Sequence, residues 1–532
     1  MKTRFISVLL VLSLVLVPLF SVTAGAEEIE PIEYALPFTD EPVTLSLMSY
    51  DSWYSPASYT DNLPIWQEFE KRTGITIDFQ VLPSAQAEAA VQTRLAAGAD
   101  LPDIVAIPPF FSGNGVMKYV QDNVLVQLDP YIENGYMPDV KKLFEDYPAL
   151  EAMMRTPDGS CYTVACQLLL VNEMAVNSIL FRKDWVEDLG MELPTTIDTW
   201  EATLRAIKET DLNGNGKNDE IPLISGDIGG LLFFGTGFGF ETAPNGYADF
   251  MWYDENNQVY STLIDDRMKA TVEWLNKMYE EGLIYPQIEN DWDVVWSLYA
   301  QDVIGAYSAT MNDYITRADG LVPGSDHIMI MPPWPEEGVE SKIMMRKDVE
   351  THFGITTSCE HPELAAMWIN YVYCSDEGYE LKEYGIEGET FYYDENGERQ
   401  YTDIIMNNPD GLGPHDALRV YGGAPSFLVF DSKEWFVKQF AGTKVLESSF
   451  DFEGKQIQTL PVMIPTIEEN EILTTLQADL NTYWREMLTK FVIGTEPLEN
   501  WDSYVAGMKS LGIDEIVSVY QAEFDRYRAI AG

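Results

Sequence analysis

The sequence predicts an α/β fold with a mainly parallel sheet, because apolar alternation of period two repeatedly gives way to helical periodicity, with glycine and proline between the segments. Val43–Met48 and Ile75–Leu82 alternate as strands, and Asp103–Ile107 is a short apolar strand. The segments between them, Asn62–Gly74 and Ala85–Ala97, have helical periodicity, and the first ends at a glycine. Alternating strands and helices place the helices on the faces of the sheet.

The same alternation continues along the chain. Arg182–Gly190 is predicted to be a short helix with a glycine stop, and Thr195 is predicted to cap the next helix, Ile197–Glu209. Further strands are predicted at residues 221–224, 302–308 and 328–331, and further helices at 265–282, 361–373, 471–494, 502–512 and 514–529.

Length and charge limit the class of protein. A chain of 532 residues indicates more than one domain, since domains usually have roughly 100–200 residues. Its 86 acidic residues outnumber 33 basic ones and give a net charge of −53. Because this surface repels polyanions, nucleic acid is excluded as a partner.

The first 26 residues have the pattern of a secretory signal peptide. Lys2 and Arg4 precede an apolar run, and Ala24-Gly25-Ala26 offers small residues for cleavage. An acidic linker is expected at 27–42. The first cysteine is Cys161, so no lipobox cysteine follows the cleavage site. The prediction is therefore export in soluble form, either to the periplasm or to the extracellular space.

Four cysteines are too few for a disulfide scaffold. Cys161 and Cys166 are close enough to pair across a turn, whereas Cys359 and Cys374 are expected at opposite ends of a helix. The four histidines, at 327, 352, 361 and 415, lack metal-ligand spacing and are interpreted as structural or surface residues.

The segment 211–220 is a candidate calcium loop. It places oxygen ligands at alternate positions around two glycines, and the predicted donors are Asp211, Asn213, Asn215, the Lys217 carbonyl, Asp219 and Glu220. The twelfth position of an EF-hand would be Pro222, so a shorter variant ending in Asp-Glu is the preferred interpretation. The alternative is a plain turn rich in Asn, Asp and Gly. Because the loop joins a helix to a strand, the predicted role of the calcium ion is structural.

Several strings in order resemble one family. They are PTTIDTW at 194–200, DLNGNGKNDEIPL at 211–223, LNKMYEEGLI at 275–284, HPELAAMWINYVY at 361–373, YGIEGETFYYDENG at 384–397 and the C-terminal segment from Val492. Spread over roughly residues 43–530, they resemble the extracellular solute-binding proteins (family 1) of carbohydrate ABC importers, above all the LplA-like and alginate-binding members.

The resemblance implies a two-lobed periplasmic-binding-protein fold of type II, with discontinuous lobes joined by hinge crossings. The expected N-lobe segments are 43–165 and 303–375. The expected C-lobe segments are 166–302, with the calcium loop, and the helical remainder 376–532. In the alginate-binding members a comparable loop binds calcium. The implied function is capture of an oligosaccharide or sugar derivative in the cleft and delivery to the ABC permease subunits by a monomeric, non-enzymatic protein.

Sugar binding requires aromatic faces and polar partners near strand ends. The candidate ligand residues are Asp51, Trp53, Arg182, Trp252, Trp296, Tyr307 and Trp334, with Tyr50, Tyr54 and Trp435 as weaker candidates. For each tryptophan, ordinary core packing is the alternative.

Two other classes of protein remain open. A secreted carbohydrate-active hydrolase needs only two suitably spaced carboxylates, but no hydrolase motif is visible. A surface or adhesive glycan-binding protein fits the acidity but predicts repeats or an anchor. The acidic surface favours a neutral glycan as the ligand.

Overall fold

The computed structural model describes residues 29–51, 56–83, 87–98, 100–107, 114–165, 177–241, 250–311, 314–344, 352–423, 433–457, 460–461 and 463–532. The strands in this part of the chain are β1 (Val43–Tyr50), β2 (Ile75–Leu82), β3 (Ile104–Ile107), β4 (Thr163–Ala165), β5 (Asn177–Arg182), β6 (Ile221–Ser225), β7 (Met251–Tyr253), β8 (Val259–Ser261), β9 (Ile304–Met311), β10 (His327–Ile330), β11 (Ile343–Met344), β12 (His352–Ile355), β13 (Phe391–Tyr393), β14 (Arg399–Tyr401) and β15 (Gln456–Ile457).

The helices are more numerous than the strands. The first ten are α1 (Pro64–Thr73), α2 (Ala87–Ala97), α3 (Asn114–Gln121), α4 (Asp129–Glu133), α5 (Pro138–Asp146), α6 (Pro148–Met154), α7 (Lys183–Asp188), α8 (Ile197–Glu209), α9 (Ile228–Leu231) and α10 (Asp266–Glu280). The others are α11 (Trp292–Tyr299), α12 (Tyr314–Leu321), α13 (Pro362–Ile369), α14 (Asp376–Glu383), α15 (Asp403–Met406), α16 (Pro414–Tyr421), α17 (Lys433–Gln439), α18 (Lys444–Phe450), α19 (Ile467–Val492), α20 (Trp501–Ser510) and α21 (Ile513–Ala531).

Local sequence signals explain several helix ends. Gly74, at φ 77°, ends α1 in the left-handed conformation, as predicted. Helix α8 spans Ile197–Glu209 as predicted, but its cap lies one residue later than expected. The Thr196 side chain, not that of Thr195, accepts from the backbone N–H of Thr199, and the Thr199 side chain accepts from the backbone N–H of Thr196 in a capping box.

Two sheets organise the fold. The first has the strand order β2-β1-β3-β12-β4, in which β1, β2 and β3 are parallel and β12 is antiparallel to both of its neighbours. The second has the order β10-β5-β9-β6, in which only β6 and β9 are parallel. The predicted β-α-β-α-β start is therefore confirmed, and the second sheet is more mixed than expected.

The second sheet packs apolar side chains on both faces. Leu180, Ile224 and Tyr307 lie on the face that joins the core of the first sheet. Neighbouring residues such as Phe181 and Leu223 point to the opposite face, where α8, α10 and α19 to α21 form a second core. This alternation follows from the period-two geometry of a strand.

Strand pairing corrects one expected boundary. The N-lobe return was expected at residue 303, but β9 and β10 pair with β5 in the second sheet. The chain returns to the first sheet only with β12, at His352. Not all of the remainder from 376 joins the second core either, because Leu381 and Leu418 are buried in the core of the first sheet.

The expected linker is also packed in its described part. The Tyr34 hydroxyl donates to the carbonyl of Met367 at 3.2 Å, and the backbone N–H of Phe38 donates to the carbonyl of Thr73 at 2.9 Å. Residues 29–42 thus lie along the helices of the first sheet. No helix among the described residues is long and apolar enough to span a bilayer.

Candidate functional site

One edge of each sheet lies next to the segment 166–176, which connects the first sheet to the second. In the first sheet, the register aligns Ile107 and Ala165 with His352, so that β3 and β4 end where β12 begins. In the second sheet, Asn177 at the start of β5 pairs with Met311 at the end of β9. Since residues 166–176 join Ala165 to Asn177, these edges adjoin one crossing of the chain. Ligands of open α/β sheets bind at the carboxyl ends of parallel strands, which makes this region the candidate site.

An aromatic cluster lies beside the second sheet. The ring of Trp292, the first residue of α11, is 5.3 Å from the ring of Tyr314 and 6.3 Å from that of Tyr307, both edge-on. Trp296, one turn later, is 5.3 Å from Tyr314. Tyr307 and Trp296 are buried, whereas Trp292 is 46% exposed. The cluster therefore holds one large aromatic surface in contact with solvent.

Hydrogen bonds position Trp292 at the carboxyl end of β6. The backbone N–H of Asn290 donates to the carbonyl of Gly226 at 2.8 Å, and its side-chain Nδ2 donates to the carbonyl of Ser225 at 2.9 Å. Helix α11 therefore begins against the last residue of that strand. The Arg317 guanidinium lies 4.2 Å from the Trp296 ring centroid and covers the inner tryptophan.

Charged groups surround the same strand end. Asp227 accepts from the backbone N–H of Gly230 at 2.9 Å and pairs with Arg485 of α19 at 2.9 Å. Partial burial raises the pKa of Glu289, and the nearby Asp227 carboxylate raises it further. Two carboxylates and one guanidinium thus meet where β6 ends.

Three of the predicted ligand residues lie at or near the sheet edges that adjoin residues 166–176. Asp51 follows β1 and accepts from the backbone N–H of Tyr59 at 3.1 Å. Trp296 and Tyr307 belong to the aromatic cluster, as its buried part. Tyr50, a weaker candidate, is the last residue of β1.

Other candidates are placed less directly. Trp334 is half-buried beyond the end of β10, and its backbone N–H donates to the carbonyl of Thr195 at 2.6 Å. Trp252 is buried in the β7–β8 hairpin and stacks on Tyr253 at 5.5 Å, so its contact with a ligand stays a prediction. Trp53, Tyr54 and the side chain of Trp435 lie outside the described residues.

Arg182 requires a correction. It is the last residue of β5, about 17 Å from Asn177 at ~3.3 Å per residue, so it lies at the opposite edge of the sheet. Its guanidinium donates to both oxygens of Asp184, at 2.8 and 2.7 Å, and pairs with Asp302. The ring of Trp185 is 4.2 Å away. Arg182 is therefore a buried, ion-paired residue away from the candidate site.

Sequence reasoning missed Trp292, Tyr314, Asp227, Glu289 and Arg485. A signal for the first was present, because Trp292 precedes Trp296 by four residues and both fall on one face of a helix. Arg485 had no local signal, since it is brought to β6 by a helix more than 250 residues away in sequence.

Side-chain to backbone hydrogen bonds hold the predicted calcium loop in a compact turn. Asp211 Oδ2 accepts from the N–H of Gly216 at 2.8 Å, and Glu220 Oε1 accepts from the N–H of Leu212 at 2.8 Å. The other carboxylate oxygens, Asp211 Oδ1 and Glu220 Oε2, are buried and have no hydrogen-bond partner among the described residues. Buried carboxylate oxygens of this kind suit a cation, because without one their desolvation is uncompensated.

The remaining predicted donors lie on the same loop. Asn213 and Asn215 each accept from the backbone N–H two residues later, at 3.0 and 2.9 Å. Hydrogen bonds from Asn215 and Asn213 lower the pKa of Asp219. Within the described residues, no three His, Cys, Asp or Glu side chains converge as a preformed metal cluster. The donor types, carboxylate, amide and carbonyl oxygens, fit calcium.

The loop lies at the edge opposite the aromatic cluster. It precedes β6, whose other end carries Ser225, and Asn213 Nδ2 donates to the carbonyl of Asp302 at 3.0 Å. Asp302 also pairs with Arg182. A cation here would therefore stabilise the fold at a distance from the candidate ligand site.

Cysteines and histidines have structural surroundings where they are described. Cys161, Cys359 and Cys374 are free thiols, and burial raises the pKa of each to about 12. Cys166, the expected partner of Cys161, lies outside the described residues. His327 is buried against Asp319 at 2.8 Å, and burial lowers its pKa.

Two separate sheets joined by crossings of the chain define a two-lobed α/β binding protein of type II, and the comparisons agree. Residues 54–377 match the model of the bacterial extracellular solute-binding protein family. The chain belongs to this family.

Two of the relatives match nearly the whole chain, and a third matches about half of it. The fructooligosaccharide ABC transporter substrate-binding protein FusA of Streptococcus pneumoniae serotype 4 is 25% identical over 520 residues, which cover 92% of this chain and 91% of FusA. The polygalacturonan/rhamnogalacturonan-binding protein YtcQ of Bacillus subtilis is 25% identical over 266 residues, 48% of each chain. Lipoprotein LipO of Bacillus subtilis is 22% identical over 498 residues, 87% of this chain and 89% of LipO.

Solved structures show the same fold. The alginate-binding protein AlgQ2 without calcium ion has a TM-score of 0.71 at 21% identity, covering 92% of this chain and 99% of AlgQ2. FusA in complex with kestose has a TM-score of 0.71 at 21% identity, covering 91% of this chain and 99% of FusA. A FusA structure described as an EF-hand mutant, in complex with fructo-nystose, has a TM-score of 0.70 at 21% identity and covers 91% of this chain and 99% of FusA.

Proposed function

We propose that this protein captures an oligosaccharide or sugar derivative between its two lobes and delivers it to an ABC permease. The observation that carries the proposal is Trp292, a half-exposed indole held edge-on by Tyr307 and Tyr314 where β6 ends. Pyranose and furanose rings present C–H groups that pack on such flat apolar surfaces. The relatives FusA and YtcQ, which are named for oligosaccharides or polysaccharides, support this ligand class.

Lobe closure would couple binding to delivery. The first lobe carries the first sheet, and the second lobe carries the second sheet. Helix α19 packs mainly on the second lobe, whereas α21 packs both on α19 and on α6, which belongs to the core of the first sheet. A sugar that contacts both edges binds the closed state more tightly than the open state, and this difference in affinity shifts the population towards closure. The permease then recognises the closed form. The protein acts in this scheme as an exported monomer, with residues 1–26 as its signal peptide and without catalysis.

Thermal denaturation with a panel of sugars tests the proposal. Neutral trisaccharides and tetrasaccharides, including kestose, are expected to raise the melting temperature, because a ligand that binds only the native state stabilises it by about 2.7 kcal/mol at 100 times its Kd. Peptides of similar size serve as the control. Stabilisation by a peptide alone, or accumulation of cleaved sugar, would contradict the proposed function.

We further propose that the loop from Asp211 to Glu220 binds a structural calcium ion. The ligands would be Asp211, Asn213, Asn215, the Lys217 carbonyl, Asp219 and Glu220. The unpartnered Asp211 Oδ1 and Glu220 Oε2 support the proposal. One similar structure is described as AlgQ2 without calcium ion and another as an EF-hand mutant of FusA, and both descriptions are consistent with a calcium site in this loop.

Chelation of calcium is expected to lower the melting temperature by roughly 3–8 °C, because a bound ion stabilises only the folded chain. Asp211→Asn and Glu220→Gln should abolish the response to EDTA and to added calcium, as measured by thermal denaturation. Asp394→Asn is a matched control, since Asp394 forms a similar turn in the β13–β14 hairpin. If EDTA has no effect and no calcium co-purifies, the loop is only a turn.

A further inference from the structure

The carboxyl end of β6 carries more acidic groups than its basic neighbours balance. Asp227 lies two residues beyond β6, and Glu289 directly precedes Asn290, whose backbone N–H donates to the carbonyl of Gly226 at 2.8 Å, so both carboxylates belong to segments at this strand end. Arg485 pairs with Asp227 at 2.9 Å, and the charge of Asp227 raises the pKa of Glu289. Asp291 and Asp293 flank Trp292 and are exposed. Four carboxylates therefore lie at the end of β6 and the start of α11, on the segments that position the exposed indole.

Two described cations, Arg485 and Arg317, contact these segments. Arg485 is committed to Asp227, and Arg317 lies against the inner face of the cluster, over Trp296. The local charge is thus negative even when both guanidinium groups are counted. In a partly dehydrated cleft this charge acts on a ligand more strongly than it would in bulk water.

Two neutral oxygen acceptors without a hydrogen-bond partner in the described part of the chain are buried at the same strand end. Ser225 is 4% exposed, and its Oγ has no hydrogen-bond partner among the described residues. Asn290 Oδ1 is likewise buried and unpartnered there, while Nδ2 of the same side chain is bonded to the carbonyl of Ser225. Unpaired buried oxygens are costly, and sugar hydroxyl groups are suitable donors for them.

We propose that Asp227, Glu289 and Arg485 determine charge selectivity, so that this cleft accepts neutral oligosaccharides and rejects uronate-containing ones. The inference rests on the proposed carbohydrate function. Carboxylates accept from the hydroxyl groups of a neutral sugar, with Arg485 as a donor, but they repel the carboxylates of a uronate. Ser225 and Asn290 add buried acceptors, unpartnered within the described residues, at the same strand end.

Titration calorimetry with kestose and trigalacturonate tests this selectivity. The wild-type protein should bind kestose at least 30-fold more tightly than trigalacturonate at low salt. Glu289→Gln should reduce that ratio about fivefold, the effect of one charge at ~8 Å and an intermediate dielectric constant. Added 0.5 M NaCl should also reduce the wild-type ratio, because salt screens repulsion. Glu255→Gln, in the exposed β7–β8 turn, removes the same charge elsewhere and should leave the ratio unchanged.

The outcomes separate the two proposals. Equal or tighter binding of trigalacturonate by the wild-type protein overturns the charge selectivity but retains the carbohydrate function. A ratio that neither Glu289→Gln nor salt alters also overturns it. Failure of kestose, trigalacturonate and the wider sugar panel to bind overturns the carbohydrate function itself, and the selectivity with it.

Discussion

Replacement of Arg182 by leucine is expected to lower the free energy of unfolding by about 3–5 kcal/mol, because it leaves the partly buried Asp184 and Asp302 without their cation. Arg182 itself is 4% exposed. Leucine approximates the apolar part of the side chain, so the loss reports mainly on the charge. Urea denaturation of the wild-type protein and the variant measures this change in the free energy of unfolding.

A matched arginine separates burial from ion pairing. Arg205 also pairs with two carboxylates, Glu201 and Glu281, but its side chain is 39% exposed. Arg205→Leu should cost much less stability, because solvent screens exposed ion pairs. If Arg182→Leu unfolded at the wild-type urea concentration and lost only sugar affinity, Arg182 would be a ligand residue after all.

Replacement of Trp292 by alanine is expected to weaken sugar binding about 30-fold or more, equivalent to ~2 kcal/mol, the usual loss at an aromatic hot spot. The half-exposed ring loses its contact with the sugar, whereas the buried rings of Trp296 and Tyr307 continue to support the core. Stability should therefore change by no more than about 1 kcal/mol. Titration calorimetry with the tightest neutral sugar gives the affinity.

Two further variants make this result specific. Trp292→Phe keeps a flat aromatic face and should recover most of the affinity. Tyr392→Ala removes an equally exposed ring, 47% exposed on the β13–β14 hairpin, and should not affect binding. Wild-type affinity in Trp292→Ala would remove the observation on which the proposed site depends.

The sequence predicted those features that depend on neighbours along the chain. Gly74 ends α1 because only a residue tolerant of positive φ allows that turn. The apolar alternation of Ile75–Leu82 predicted strand β2, but it did not predict which strand β2 pairs with. The candidate calcium loop was visible because its six predicted donors lie within ten residues.

Tertiary structure decided which of these local elements meet. Arg182 and Trp296 both looked like residues at strand ends. Because β5 is antiparallel to β9, the start of β5 at Asn177 lies beside the carboxyl end of β9, and Arg182 lies at the opposite edge. The return to the first sheet at β12, instead of residue 303, likewise depends on hydrogen bonds between distant strands. The residue pattern of a single strand does not predict whether that strand pairs in the parallel or the antiparallel direction.

The sequence by itself determined the α/β class, the family resemblance and the supply of aromatic and acidic groups. Only the tertiary structure placed Trp292 beside Tyr307 and brought Arg485 from α19 to Asp227 at the end of β6. The physical reason is that a binding surface is made by side chains from separate elements. Its geometry is fixed by packing between them and not by periodicity within any one of them.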